Sequence, residues 1–343
     1  MKRISASFFG FVFLCAMSIR VDASVQLPLH GASGEIILGL GKLEVAAYSP
    51  DGRYIATGGT IGALLWDVET GELVRVFQGH QGAVISLAFM PDGRRLLTAS
   101  GWPDKVAKLW DVETGGEILT LGEHGNLTAC LSLSADGTKV LMGGSESQSA
   151  GLWDTQTGER LATFEESETF LRSVALSPSG DKALLGFADG TAKVWDTETG
   201  EQIFAVKAYE DRVTAAVFSP DGKWFLTGGE DGMAKLWDAE QGNPVRRFRG
   251  HTGGLLCVAF SPDGQKVLAG GRECAAVLWD AETSRQIQTF PEHLDPVISV
   301  AFSPDGRKVL TVTGGVYCYK GDHNAYLWDV ESGDLIHTFR GHT

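Results

Sequence analysis

Seven Trp-Asp dipeptides punctuate this chain, at Trp66, Trp110, Trp153, Trp195, Trp237, Trp279 and Trp328, with steps of 42 to 49 residues. Seven of the nine tryptophans sit in this motif. A period of that size marks units that are each one small supersecondary element. Such a unit cannot cover its own apolar faces and is stable only against its neighbours. The chain therefore folds as an array, and its function becomes a question of what the assembled surface binds.

The length of 343 residues would by itself suggest two domains, but the unbroken repeat argues for one closed body. The formal charge is -14. Nucleic acids and anionic membranes call for a basic footprint, so no nucleic-acid partner is expected, and no membrane contact beyond the N-terminal segment.

Residues 1–23 read as a secretory signal. Lys2 and Arg3 start it, and an apolar run from Phe8 to Ile19 follows, too short for a comfortable membrane span. Val21-Asp22-Ala23 then leads to a cleavage point before Ser24. The expectation is export, to a periplasm or out of the cell, with an uncleaved N-terminal anchor as the alternative. Residues 24–34 read as a linker and 35–343 as the repeat domain, with repeats ending near 67, 111, 154, 196, 238, 280 and 329. Cys130 and Cys257 lie in apolar strands and read as small buried hydrophobes. Cys274 and Cys318 fall in equivalent loops of adjacent repeats, where export would permit a bridge.

Residues 83–121 illustrate one unit. Ala83 to Phe89 is an apolar run too short for a helix, so it reads as a strand. Met90-Pro91-Asp92-Gly93 is a tight turn, with proline presetting one backbone angle and glycine supplying the positive one. Arg95 to Thr98 and Val106 to Trp110 form two more strands. Asp111 to Gly115 turns again, the aspartate placed to accept a backbone amide, and Glu117 to Leu121 is the fourth strand. Ser-Pro-Asp-Gly recurs at 49–52, 219–222, 261–264 and 303–306. A small sheet of this kind needs cover on both faces. Stacking seven face to face around an axis supplies the cover and leaves few exposed edges. The fold class is all-β.

Gly-His before the inner strand, the Ser-Pro-Asp-Gly turn and the closing Trp-Asp together resemble the WD40 repeat family over about residues 35–343. The resemblance implies a seven-bladed β-propeller of four-stranded antiparallel blades. It also implies a hydrogen-bonded tetrad within a blade, matched by His80, Thr98, Asp104 and Trp110, and again by His293, Thr311, Asp322 and Trp328. Other repeats are incomplete: His251 lacks a loop Asp, and Lys207-Ala208-Tyr209 replaces Gly-His. Ring closure is left open. Glu35 to Leu38 and Asp334 to Phe339 compete for the outer edge of the last blade, and Gly341-His342-Thr343 repeats the opening of a unit.

No metal-spaced His/Cys cluster, nucleophile elbow or phosphate loop appears, so no catalytic residue, metal ligand or cofactor is assigned and the chain is not expected to be an enzyme. The histidines, His124 included, read as blade residues. By the same resemblance, partners bind the face bearing the loops before the first strand and between the second and third. Two positions per repeat face the central opening there: Lys42 and Glu44, Ala83 and Ile85, Leu127 and Ala129, Phe170 and Arg172, Arg212 and Thr214, Gly254 and Leu256, Pro296 and Ile298. Phe170, Arg172 and Arg212, with Phe187 and Glu210, form the candidate site, and Trp102 adds an anchor. An arginine beside an aromatic ring receives a carboxylate bidentately and stacks as well. The last repeat is lengthened at residues 314–324, where Tyr317, Tyr319, Lys320 and His323 have the composition of a contact surface. The reading is a protein- or peptide-binding scaffold of unknown partner. The alternatives are an architectural piece of a larger multi-protein assembly and, behind it, a propeller enzyme with a central metal or cofactor.

Overall fold

The computed structural model describes residues 36–37, 43–122, 130–144, 148–165, 169–291, 293–314 and 324–340. The signal and linker readings for residues 1–34, His124 and the terminal Gly341-His342-Thr343 lie outside these. Among the described residues every regular element is a strand. No helix there is long and apolar enough to cross a membrane.

Seven blades run over residues 43–77, 84–121, 130–165, 171–207, 213–248, 255–290 and 297–340. Each is an antiparallel sheet of four consecutive strands, called a to d from the axis outwards. The a strands of successive blades pack on one another around the axis. In blade 2 the strands are Val84–Phe89, Arg95–Ser100, Ala107–Asp111 and Glu117–Leu121. Strand b is buried from Leu96 to Ser100 without a break, because neighbouring blades cover both its faces. Strand d lies outermost and is largely exposed from Glu117 to Thr120.

The two turn motifs do separate work. In the first, the Ser49 hydroxyl donates to Asp51 Oδ1 at 2.6 Å and accepts the Tyr54 amide at 2.9 Å. In the second, Asp67 Oδ1 accepts the amides of Thr70 at 2.9 Å and Glu69 at 3.0 Å, and these bonds hold its carboxyl below the usual range. The aspartate of Trp-Asp is thus a turn residue. The turn then needs a positive φ, supplied by Gly71 at 71° and Gly115 at 75°, but in blade 6 by Ser284 at 59°.

The tryptophan of Trp-Asp belongs to packing between blades. Trp110, 1% exposed, joins Val84, Leu87 and Leu96 of its own blade to Ala56, Leu65 and Phe77 of blade 1. Seven such apolar clusters fill the seven interfaces. Removing one buried tryptophan side chain costs about 3–5 kcal/mol, so these clusters dominate the cohesion of the ring. Three serines add bonds near the axis. Ser86, Ser132 and Ser173 accept the amides of Leu131 at 3.3 Å, Leu176 at 2.9 Å and Ala216 at 2.9 Å, each from the next blade.

Both candidate closing segments find a place. Leu335–Arg340 is strand d of blade 7. Ile36–Ile37 lies outside it as a fifth, parallel strand, with Ile36 opposite Phe339 and Ile37 opposite Arg340. No blade borrows one of its four strands from the other end of the chain. Blades 7 and 1 meet through side chains, Leu310, Val312 and Leu327 against Leu43, Ile55, Leu64 and Trp66.

Candidate binding face

The loops before strand a and between strands b and c lie at one end of the barrel of a strands. Blade 2 has the fullest bonding there. His80 Nε2 lies 2.7 Å from Thr98 Oγ1, His80 Nδ1 lies 3.0 Å from Asp104 Oδ2, and Trp110 Nε1 donates to Thr98 Oγ1 at 2.7 Å. Indole nitrogen can only donate, so the threonine hydroxyl accepts from Trp110; its own proton faces His80 Nε2 at 2.7 Å and Lys108 O at 3.4 Å, and the shorter contact leaves the imidazole proton on Nδ1, facing Asp104. This requires neutral histidine. Burial depresses the affinity of His80 for a second proton, outweighing the raising effect of Asp104. Asp104 also accepts from Ser100 Oγ at 2.6 Å and from the amides of Gln81 and Gly82, each at 3.1 Å. Burial opposes its charge, but these bonds win and hold its carboxyl below the ordinary range.

Blade 7 places His293 Nε2 at 2.8 Å and Trp328 Nε1 at 3.0 Å from Thr311 Oγ1. Its fourth candidate, Asp322, lies outside the described residues. Two blades that look incomplete in sequence use substitutes. In blade 6 Glu273 meets His251 Nδ1 from the b–c loop, and Trp279 Nε1 donates to Arg249 O at 3.0 Å. In blade 5 the Tyr209 hydroxyl takes the histidine's place, donating to Thr227 O at 2.8 Å and lying 3.0 Å from Thr227 Oγ1, which accepts Trp237 Nε1 at 2.9 Å. Burial raises the phenol's pKa, so it stays neutral. The available signal was spacing. Tyr209 stands as far before Val213 as His80 stands before Val84.

The second residue of strand a is a bulge in six blades, at Glu44, Ile85, Arg172, Thr214, Leu256 and Ile298. A bulge leaves one residue out of the ladder and re-aims its side chain. The six form a half-buried ring at the loop-rich end of the a strands. Ala129 of the remaining blade lies outside the described residues, as do Lys42 and Leu127. Half of the ring, Ile85, Leu256 and Ile298, is apolar. Arg172 is its one cation, and its Nε is buried without a hydrogen-bond partner. Phe170, two residues before it, is 50% exposed.

Arg212 stands one blade on, its side chain 41% exposed and its Nε 3.4 Å from Asp211 Oδ1. Glu210 is fully at the surface. A cavity of about 450 Å³ opens beside it, lined by Tyr209, Asp211, Glu230, Asp231 and Lys235 among others. Phe187 corrects the sequence reading: it is 1% exposed and packs with Leu171, Leu185 and Trp195. It ends a b strand, and both faces of that strand are covered. Trp102 sits apart on the blade 2 loop, 65% exposed, before a cis bond to Pro103. Tyr317, Cys318, Tyr319, Lys320 and His323 lie outside the described residues, while Cys274 is half-buried.

Two further exposed apolar side chains, Ile61 and Leu294, join Trp102 and Phe170 on this face. Among the described residues every other large exposed hydrophobic lies on a d strand, and none lies in the turns of the opposite face. Among the same residues no three His, Cys, Asp or Glu side chains converge to hold a metal ion.

The chain matches the family described as WD domain, G-beta repeat, over residues 71–111, 158–196, 200–238, 242–280 and 284–329, together more than half its length. It is 31% identical over 80 residues to a guanine nucleotide-binding protein subunit beta-1 of Caenorhabditis briggsae, covering 23% of this chain and 21% of that one. It is 36% identical over 75 residues to the U3 snoRNP-associated protein-like YAOH of Oryza sativa subsp. japonica, covering 22% and 14%. With actin-interacting protein 1 of Drosophila melanogaster the figures are 42% over 62 residues, 17% and 10%. The chain thus spans about a fifth or less of the length of these relatives.

Proposed function

We propose that this chain, which belongs to the WD40 repeat family, is a non-enzymatic platform whose loop-rich face takes an extended, acidic segment of a partner protein. The observation that carries the reading is Arg172. A bulge lifts it from the a strand, its Nε is buried yet has no hydrogen-bond partner, and the exposed Phe170 precedes it by two residues. A buried unsatisfied donor costs about 1–3 kcal/mol, and an arriving carboxylate removes that cost. Arg212 on the next blade offers a second guanidinium, 41% exposed and 3.4 Å from Asp211 Oδ1. The names of two relatives, a U3 snoRNP-associated protein and an actin-interacting protein, speak of assembly with other macromolecules. The bulge ring holds a single carboxylate, Glu44, which favours binding over metal or cofactor chemistry.

The test is capture of partners from the native compartment by wild type and by an Arg172→Glu, Arg212→Glu double variant with an unchanged melting temperature. Loss of the captured protein supports the site. Equal capture removes it.

The N-terminal segment is proposed to direct export, on the strength of Lys2, Arg3 and the apolar run to Ile19. N-terminal sequencing of native protein beginning at Ser24 agrees with cleavage. A retained Met1 in a soluble cytosolic fraction refutes export.

A further inference from the structure

The seven repeats act as controls for one another at the first residue of strand b. That place is held by Tyr54, Arg95, Lys139, Lys182, Trp224, Lys266 and Lys308. In blades 3 and 4 the lysine crosses to the next blade. Lys139 Nζ donates to Gly180 O at 3.3 Å and Lys182 Nζ to Ala239 O at 3.2 Å. Trp224 cannot make that bridge, and the groove between blades 5 and 6 stands open with about 460 Å³. Its floor is Trp224, Leu236 and Phe260, with Arg246 on the blade 5 side and Asp280 and Glu282 on the blade 6 side. It lies on the turn-rich face, away from the Arg172 ring. The matching groove one blade on is lined by Lys266 and Arg307, encloses about 650 Å³ and has no aromatic side chain.

The charge beside the groove is also out of pattern. Strand d of blade 5, Pro244–Phe248, carries Arg246 and Arg247, and Arg249 follows it. No other d strand holds more than one Lys or Arg. Edge strands do use charge to avoid pairing with other chains, but the other six manage with one cation or none. Among the described residues no carboxylate lies within ion-pair distance of these three arginines. Arg246 pairs across the strand with Leu236, which places its charge at the apolar floor. On the far wall Asp280 Oδ1 is already occupied by the Thr283 amide and hydroxyl, each at 2.7 Å.

We propose that this groove docks a second partner segment, with one large apolar side chain seated between Trp224 and Phe260 and an acidic residue beside it facing Arg246. The surface is separate from the loop-rich mouth. A ring with both sites in use joins two partners through opposite faces.

The probes are three fluorescein-labelled peptides of equal length: phenylalanine flanked by glutamates, phenylalanine flanked by lysines, and alanine flanked by glutamates. Anisotropy titrations against the full chain should give a Kd of order 10–100 µM for the first and far weaker binding for the others. Arg246→Glu changes a surface charge and should melt with wild type, whereas Trp224→Lys takes a half-buried ring off the blade 5–6 core and is compared at a temperature where its circular dichroism matches wild type. Each should weaken the first peptide roughly tenfold or more, and Arg172→Glu should leave it unchanged. Equal binding of all three peptides overturns the proposal. So does failure of the first peptide to saturate by about 1 mM, wild-type affinity in Arg246→Glu, or loss of binding in Arg172→Glu.

Discussion

Replacing Thr98 by valine should destabilise the protein by about 2–6 kcal/mol. The size follows from the bonds the hydroxyl makes. It accepts Trp110 Nε1 at 2.7 Å and lies 2.7 Å from His80 Nε2, and Thr98 is 0% exposed. Valine keeps the shape and removes both bonds, stranding an indole donor and an imidazole acceptor where water does not reach. Each stranded group costs about 1–3 kcal/mol. Thr98→Ser is the control, since it keeps the hydroxyl and loses one methyl, at about 1 kcal/mol. Urea unfolding followed by circular dichroism reads both, as a fall in midpoint with an unchanged slope. Blade 4 sharpens the question. Leu185 stands there in the place of Thr98, and Trp195 Nε1 has no hydrogen-bond partner. A blade therefore survives without this bond, and cohesion of the ring rests on packing. If Thr98→Val falls within about 0.5 kcal/mol of wild type, or Thr98→Ser is as damaging, the buried bonds carry none of the stability assigned to them.

Tyr209→Phe should cost about 1–3 kcal/mol in the same assay, because it removes the hydroxyl bonded to Thr227 O at 2.8 Å; no change means that the tyrosine only fills space. Ser284→Gly and Cys274→Gly should each raise stability by about 0.5–1 kcal/mol, since φ is 59° and 63° at positions better suited to glycine, and a lowered melting temperature would contradict the strain. His80 is held neutral in the fold by burial. Below about pH 6.5 the unfolded chain takes up a proton that the fold resists, so stability should fall as pH drops through that range. His80→Asn should lack that component in urea midpoints taken from pH 8 to 5. The bonded carboxyls of Asp67, Asp104 and Asp154 are depressed instead, so their contribution is present above about pH 4 and lost only in stronger acid.

The blades were legible because Trp-Asp carries two constraints in two letters: a tryptophan for the interface and an aspartate for the turn. The strands of blade 2 fall within a residue or two of where turn chemistry puts them. Substitution was harder to read. Tyr209 stands in for the histidine and Glu273 for the loop aspartate, and a search for Gly-His and Asp passes over both. Phe187 was misplaced because a strand that looks peripheral in sequence has both faces covered once a neighbouring blade arrives. Arg172 was found by alignment of repeats, but its bulge and the buried, unpaired Nε depend on backbone geometry that no residue pattern encodes. The groove at Trp224 was invisible for a related reason. Its meaning lies in the aromatic floor that Trp224 makes with Phe260 of the next blade, which is a fact about neighbours.

The four strands of each blade come from one uninterrupted stretch of chain, and the two-residue strand Ile36–Ile37 is added from the other end of the chain to the edge of blade 7. A propeller that lends a strand across its ends must keep both ends in step. This one is modular down to the single repeat. Copying or deleting one internal unit leaves every four-stranded blade whole. Moving the chain ends to another gap, such as that between Glu165 and Leu171, should leave the same circle standing.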